Sequence, residues 1–400
     1  MTAARLEDYR EVAPKGTLEL LLRLASRLQG RRFLHVNASR YGGGSPEILA
    51  RLIPMLQELG IRADWQVIVG DPSFYAAVRM LELSLAGQEP SASGDLLRAY
   101  SEAAAENAGK LPLEADLVMV HDLAPLPLVR HRPERGRWIW RCHADLSLAY
   151  RRVWYTLRQD VERYDAAVFS SPKFAQRIAV PALIIHPSVD PLSEKNREMS
   201  RGEVQQLLDR LQIPRDKPIL LQVAPYARRS DPLGVLAAFR MAKKYVECRL
   251  VLAGAGAADN PEGAAVLAEV REAIGADPDV HALVLPPDAA LEINALQRAS
   301  AVVIQKPLQE DFCLEVAEAM WKGKPVIGSL AGGIPAQVIF EVTGYTVTSI
   351  EGAAFRIRQL LQNPDQMARM GGAAREYVRR NFLITRHLGD YLALLANLTS

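Results

Sequence analysis

Short, wholly apolar runs alternate along this chain with longer stretches in which apolar residues recur every three or four positions. The first pattern is that of β-strands buried on both faces, the second that of amphipathic helices. Leu18, Leu21, Leu22, Ala25 and Leu28 predict a helix, and residues 32–37 read as the first buried strand. The strand runs into Tyr41-Gly42-Gly43-Gly44, after which a helix is predicted over 45–59 with Pro46 in its first turn. Further strands are predicted at 65–69, 116–120, 138–142, 166–169 and 183–185, with 72–110 mostly helical. Such alternation of strand and helix makes the first half a doubly wound α/β domain.

A polar, turn-rich stretch from Pro187 to Ser200 interrupts the pattern. It then resumes, with strands predicted at 218–223, 249–253, 282–285 and 301–305 and helices at 232–243, 261–274 and 288–299. Gly254-Ala255-Gly256 follows a strand but leads into a polar loop, and reads as a turn rather than a nucleotide fingerprint. Residues 351–398 read as helices broken at Asn363-Pro364 and Asn381-Phe382. The expected organisation is an N-terminal domain over 1–195, joined by a C-terminal helix at 383–400, and a C-terminal domain over 196–382. Two similar Rossmann-like α/β domains facing across a cleft are anticipated.

Chemistry concentrates at the loops after strands. Between Pro307 and Gly333 the chain reads as loop, helix, short strand (Val326-Ile327) and glycine turn (Ala331-Gly332-Gly333). Phe312, Val316, Ala319 and Met320 give the helix one apolar face. Glu310 and Glu318, eight residues apart, place one carboxylate before the helix and one on its flank. A helix N-terminus beside a parallel strand end binds anions, because unpaired N–H groups and the helix dipole point there. The Gly42–Gly44 loop offers a second place of this kind, or simply a flexible turn. His121-Asp122 and His143-Ala144-Asp145 put polar side chains at strand ends, where an open parallel sheet meets its ligands.

Composition narrows the field. Four hundred residues exceed one ordinary core, so two domains are expected. With 48 basic and 46 acidic residues, the net charge of +2 makes no case for nucleic acid or an anionic membrane surface. The basic run from Arg130 to Arg137 lacks interleaved aromatic platforms and reads as a solvated loop. Cys142, Cys248 and Cys313 have neither disulfide-framework nor zinc-ligand spacing, which points to a reducing, cytoplasmic setting. No apolar run reaches the length of ~18 residues that a membrane span needs. No Asp-x-Asp follows a strand, so no metal and no other cofactor is expected. A homodimer is the base-rate expectation for assembly.

Several strings resemble a known family. They are His35-Val36-Asn37 with the Gly42–Gly44 loop and Glu47, the run from Trp140 to Ser147, Glu162-Arg163-Tyr164-Asp165-Ala166, and the run from Pro187 to Asn196. Asp231-Pro232-Leu233-Gly234-Val235, Asn294-Ala295-Leu296-Gln297 and the run from Glu318 to Gly328 continue the likeness. Together they resemble the retaining glycosyltransferases with two Rossmann domains (the GT-B fold). Within these the chain looks like the trehalose synthases that join a nucleotide-activated glucose to glucose, and the related trehalose phosphorylases. The resemblance implies substrates of the NDP-glucose, glucose and trehalose kind. It implies that Glu310 contacts the donor sugar, that Glu318 holds the ribose, and that backbone around Phe312 and Leu314 faces the diphosphate. Gly42, Gly43 and Gly44 would close over phosphates and sugar, and His143 with Asp145 would meet sugar hydroxyls. Asn37, Glu47, His121, Asp122 and Arg141 would lie on the acceptor side.

The chain also departs from that family. Its Ser-Arg-Phe-Asp-Arg-Trp-Lys-Asp-Pro is here Ala224 to Pro232, so Pro225 stands at the catalytic arginine position and Ser230 at the lysine position. Proline offers neither charge nor N–H, and serine lacks the cation. Arg228 and Arg229 are the candidate substitutes. The family's Glu-Gly-Phe-Gly-Leu is Glu310-Asp311-Phe312-Cys313-Leu314, which adds a negative charge where a diphosphate would sit. His121-Asp122-Leu123-Ala124 stands for His-Asp-Pro-Gln. Three readings stay open: a glucosyltransferase forming trehalose, a phosphorolytic relative, and a non-catalytic sugar-binding or regulatory subunit paired with an active paralogue.

Overall fold

The computed structural model describes residues 4–41, 44–88, 94–254 and 261–399. Gly42 and Gly43 of the predicted phosphate loop, and Ala255-Gly256 of the predicted turn, lie outside the described residues. The chain divides into two compact units: the residues up to 188 together with those from 384 onward, and Val189–Leu383.

The first unit is built on a six-stranded parallel sheet. Its strands are β1 (Arg32–Asn37), β2 (Arg62–Val67), β3 (Leu117–His121), β4 (Arg137–Cys142), β5 (Ala166–Phe169) and β6 (Ala182–Ile184), in the order β2-β1-β3-β4-β5-β6. β3 and β5 are buried along their whole length, as strands covered on both faces must be. Trp138, Trp140, Phe169 and Phe74 fill the core. β2 begins three residues earlier than the predicted 65–69. Arg62 pairs with Arg32 and Val67 with Asn37. As the edge strand it alternates, with Ala63 and Trp65 buried and Arg62 and Asp64 exposed, so no apolar run marks its start. The helix Ile384–Thr399 packs on Thr17–Ala25 of this unit.

The second unit repeats the architecture with β7 (Ile219–Val223), β8 (Arg249–Gly254), β9 (Val280–Val284), β10 (Val302–Gln305), β11 (Val326–Gly328) and β12 (Gly344–Thr346), in the order β12-β11-β10-β7-β8-β9. All its pairings are parallel. Phe239, Leu250, Val302, Ile327 and Tyr345 centre its core.

The polar stretch after Pro187 is no bare linker. Val189 N–H donates to the Phe382 carbonyl (2.7 Å), Asn294 Nδ2 to the Glu194 carbonyl (2.9 Å) and Lys322 Nζ to Asn196 Oδ1 (2.7 Å). These bonds bind 189–196 to the second unit. The helix Arg201–Arg210 that follows, which no apolar period announces, starts on a capping box. Ser200 Oγ accepts from Glu203 N–H (3.2 Å), and the Glu203 carboxylate accepts from Ser200 N–H (2.8 Å).

Strand order reverses once in each sheet, between β1 and β3 and between β7 and β10. The loops after those strands flank the crevice where such sheets bind ligands. They hold Asn37, His121 and Asp122 in the first unit, and 224–230 and 306–313 in the second.

Candidate functional site

In the second unit the loop 310–313 is held from below and behind. Gly332, at φ +51°, lies so close that a Cβ there would sit 2.0 Å from the Asp311 carbonyl oxygen and 2.2 Å from that of Glu310. Only glycine fits that turn. Gln337 Nε2 donates to the carbonyls of Phe312 (2.5 Å) and Cys313 (3.2 Å). Those carbonyls therefore face the interior, away from the ligand side of the loop. The helix begins at Leu314, later than the apolar spacing suggests, with Cys313 as its N-cap in the left-handed region at φ 63°. Phe312 is buried just before the helix. Left-handed backbone is costly for a residue with a Cβ, which explains what a glycine does at this place in the related motif.

Glu310 stands at the loop's start with its carboxyl pushed up to about 7. Burial is the main cause; the nearby Glu315 raises it further and Arg229 pulls it down. Glu318 is 2% exposed. Its Oε1 pairs with Lys195 Nζ at 2.9 Å, while its Oε2 has no hydrogen-bond partner among the described residues. A buried carboxylate oxygen left this way is a ready acceptor for a ligand hydroxyl.

The neighbouring cations differ in availability. Arg228 forms a bidentate pair with Glu269 (2.7 and 3.2 Å), and its backbone N–H donates to Glu262 Oε1. Of the two arginines expected to replace the family's cations, Arg228 is thus turned onto the helix Pro261–Ile274. Arg229 is exposed, and its charge reaches Glu310. Lys306, which the sequence did not single out, is buried at the end of β10 and ion-paired with Asp231. Asp231 is itself the left-handed N-cap of the helix Pro232–Lys243 and accepts from Gly234 N–H. Pro225 is exposed after β7, and Ser230 is buried with its carbonyl accepting from Gln222 Nε2.

In the first unit the polar residues at the strand ends meet one another. His35 Nδ1 and His121 Nε2 are 3.0 Å apart, and His121 Nδ1 and His143 Nε2 3.4 Å. Asp122, at φ 61°, accepts from His143 N–H through Oδ1 at 2.8 Å. Asn37 accepts from Trp65 Nε1 and donates to the Ser39 carbonyl. Asp145 Oδ1 accepts from Ser147 N–H at 2.8 Å, which fixes the turn after β4. Glu47 lies in the first turn of the helix Gly44–Glu58, which Gly44 opens. Arg141 was expected to meet acceptor sugar; it is fully buried and donates from Nη2 to the Ile185 carbonyl (2.8 Å). Its position in the middle of the sheet leaves it no surface to offer. Among the described residues no group of three or more His, Cys, Asp or Glu side chains could hold a metal ion.

Comparisons with known proteins agree with this architecture. Residues 35–176 match the family "Trehalose synthase, N-terminal domain", and 204–377 match "Glycosyl transferases group 1". The trehalose synthase of Pyrococcus horikoshii is 38% identical over 400 residues, covering 98% of this chain and 96% of that protein. The chain belongs to the trehalose synthase family. Its two sheets are those of the GT-B glycosyltransferases. The sucrose-phosphate synthase of Thermosynechococcus elongatus superposes with a TM-score of 0.71 at 18% identity, over 92% of this chain and 99% of that one. The Anabaena protein HepE, solved in complex with UDP-glucose, superposes with a TM-score of 0.67 at 15% identity, over 91% and 98%. Within this family member no helix among the described residues is long and apolar enough to cross a membrane.

Proposed function

We propose that this protein transfers glucose, with retention, from a nucleoside diphosphate glucose to free glucose and so forms trehalose. The observation that carries the reading is Glu318: a buried carboxylate with one oxygen held by Lys195 and the other unpartnered among the described residues, on the helix that follows β10, a strand bordering the reversal point of the second sheet. Full-length similarity to trehalose synthases and a fold shared with a UDP-glucose-binding protein support it.

In this reading Glu318 Oε2 accepts from the ribose diol. Glu310 meets the donor sugar and orients it for attack by the acceptor hydroxyl. The leaving diphosphate gathers negative charge, and Arg229 together with the N-terminus of the helix Leu314–Trp321 answers it. In the first unit His143 hydrogen-bonds sugar hydroxyls.

Pro225, Ser230 and Asp311 favour a second reading. Removing one charged donor aimed at a leaving group costs ~3 kcal/mol, and this site lacks two and gains an acid. A protein that binds sugar without turnover, paired with an active paralogue, fits that deficit. Phosphorolysis of trehalose would need the same missing cations. Calorimetric titration with UDP, ADP, GDP, their glucose conjugates and trehalose separates the readings. Micromolar binding of one nucleotide and its glucose conjugate is expected. Trehalose binding with no nucleotide binding would overturn the transferase and leave the sugar-binding partner.

A further inference from the structure

Three histidines from three adjacent strands form one hydrogen-bonded row beneath the first unit's site. His35 lies inside β1, His121 ends β3, and His143 follows β4. Besides the two N···N contacts of 3.0 and 3.4 Å, their rings stack in sequence, with centroids 5.3 and 5.7 Å apart. His35 is fully buried, between Phe33 and Tyr391. Its Nε2 has no hydrogen-bond partner among the described residues.

The row admits two arrangements when all three rings are neutral. Burial keeps them so: His35 is pulled down to about 3, and His121 and His143 lie well below the usual imidazole value, the Arg141 cation adding to the effect for both. Each neutral imidazole carries one N–H, and each contact in the row accepts one proton. If His121 is protonated on Nδ1, it donates to His143 Nε2 and accepts from His35 Nδ1–H. All three rings then carry the proton on Nδ1. If His121 is protonated on Nε2, every ring carries it on Nε2. The second arrangement strands an N–H at His35 Nε2 in the interior, whereas the first leaves only a lone pair there. Buried N–H groups without acceptors are the rarer defect in folded proteins.

We propose that His35 and His121 are positioning residues that lock His143 in its Nδ1–H form, so that His143 donates a hydrogen bond to the sugar oxygen it meets. The assignment of a sugar to His143 rests on the proposed function; the tautomer does not. A donor of fixed direction selects a ligand oxygen with a free lone pair at that point, a hydroxyl or a ring oxygen. A sugar lacking oxygen there would lose the contact. His35 acts on this preference through His121, 86 residues on in the chain, and both side chains are buried.

Long-range 1H–15N correlation spectra of the full-length, histidine-labelled protein read the tautomer directly. His143 is expected neutral with its proton on Nδ1, and a proton on Nε2 would overturn the relay whether or not the protein transfers glucose. Binding supplies the second readout. His35→Phe removes the donor to His121, and His35→Asn restores an N–H close to Nδ1. Trehalose should bind His35→Phe about tenfold more weakly and His35→Asn nearly as well as the native protein, at similar melting temperatures. Equal binding by the two variants would count against the relay. Absence of both trehalose and nucleotide-sugar binding in the native protein would refute the proposed function, with the spectra still deciding the relay.

Discussion

Replacing Pro225 with arginine is expected to raise the rate of glucosyl transfer by about 100-fold, the low end of what deleting one such donor costs. Electrostatics at the second unit's crevice give the reason. Arg228 is committed to Glu269 and Lys306 to Asp231. Arg229 remains, facing Glu310, with Asp311 and Glu315 adding negative charge around that carboxyl. In the proposed reaction one arginine not committed to either of those ion pairs would therefore answer a diphosphate in the company of three carboxyl groups. Pro225 is exposed in the loop after β7, so an arginine side chain can extend without disturbing the core. Its planar fork pairs with phosphate oxygens in a way that a lysine's point charge does not. Ser230 is a poorer place to add charge, since it is buried and adjoins the Lys306–Asp231 pair. Kinetics of Pro225→Arg beside Pro225→Gln isolate the charge. A gain confined to arginine, with KM for the nucleotide sugar falling, is the expected result. Equal rates in the two variants would mean that missing charge does not limit this site.

Glu310→Gln should abolish most transfer, by about 100-fold, while making the folded protein more stable above neutral pH. The Glu310 carboxyl holds its proton up to about 7 in the folded state, against an ordinary value of 4.5. Between those values the folded protein binds more protons than the unfolded chain. Stability therefore falls as pH rises through that window and is fully retained below it. The whole effect amounts to at most about 3 kcal/mol. Glutamine carries no charge, so the variant should resist urea better than the native protein at pH 8 and equally well at pH 4.5. A variant less stable at pH 8 would show that the carboxylate is well accommodated, and that burial does not raise it. The combination of lost activity and gained stability marks a group kept for chemistry at the expense of the fold.

How much of this was legible beforehand depended on whether a local pattern carried it. β7, β8 and β10 are covered on both faces, and their apolar runs announce them within a residue or so. β2 is half-exposed, and its register came from pairing with β1, which no local window contains. Phe312 sits at helical spacing from Val316 yet precedes the helix, because Cys313 takes a left-handed conformation that periodicity does not encode. The segment after Pro187 looked like a linker by composition; Asn196 and Lys322, 126 residues apart in sequence, tie it down.

The site divides the same way. Glu310 and Glu318 were visible through their spacing, one before the helix and one on its flank. Which of two adjacent arginines is already paired was settled by Glu269, some forty residues away. His35 carried one signal, a polar residue inside an otherwise apolar strand, but its meaning required His121 and His143 to arrive from other strands.

The most direct test of the account is whether the native protein forms trehalose. Incubation with 13C-labelled glucose and UDP-, ADP- or GDP-glucose, followed by proton NMR of the anomeric region, reads both identity and configuration. The account predicts α,α-trehalose formed in step with release of one nucleoside diphosphate. Unchanged nucleotide sugars after prolonged incubation, or hydrolysis to free glucose without a disaccharide, would contradict it.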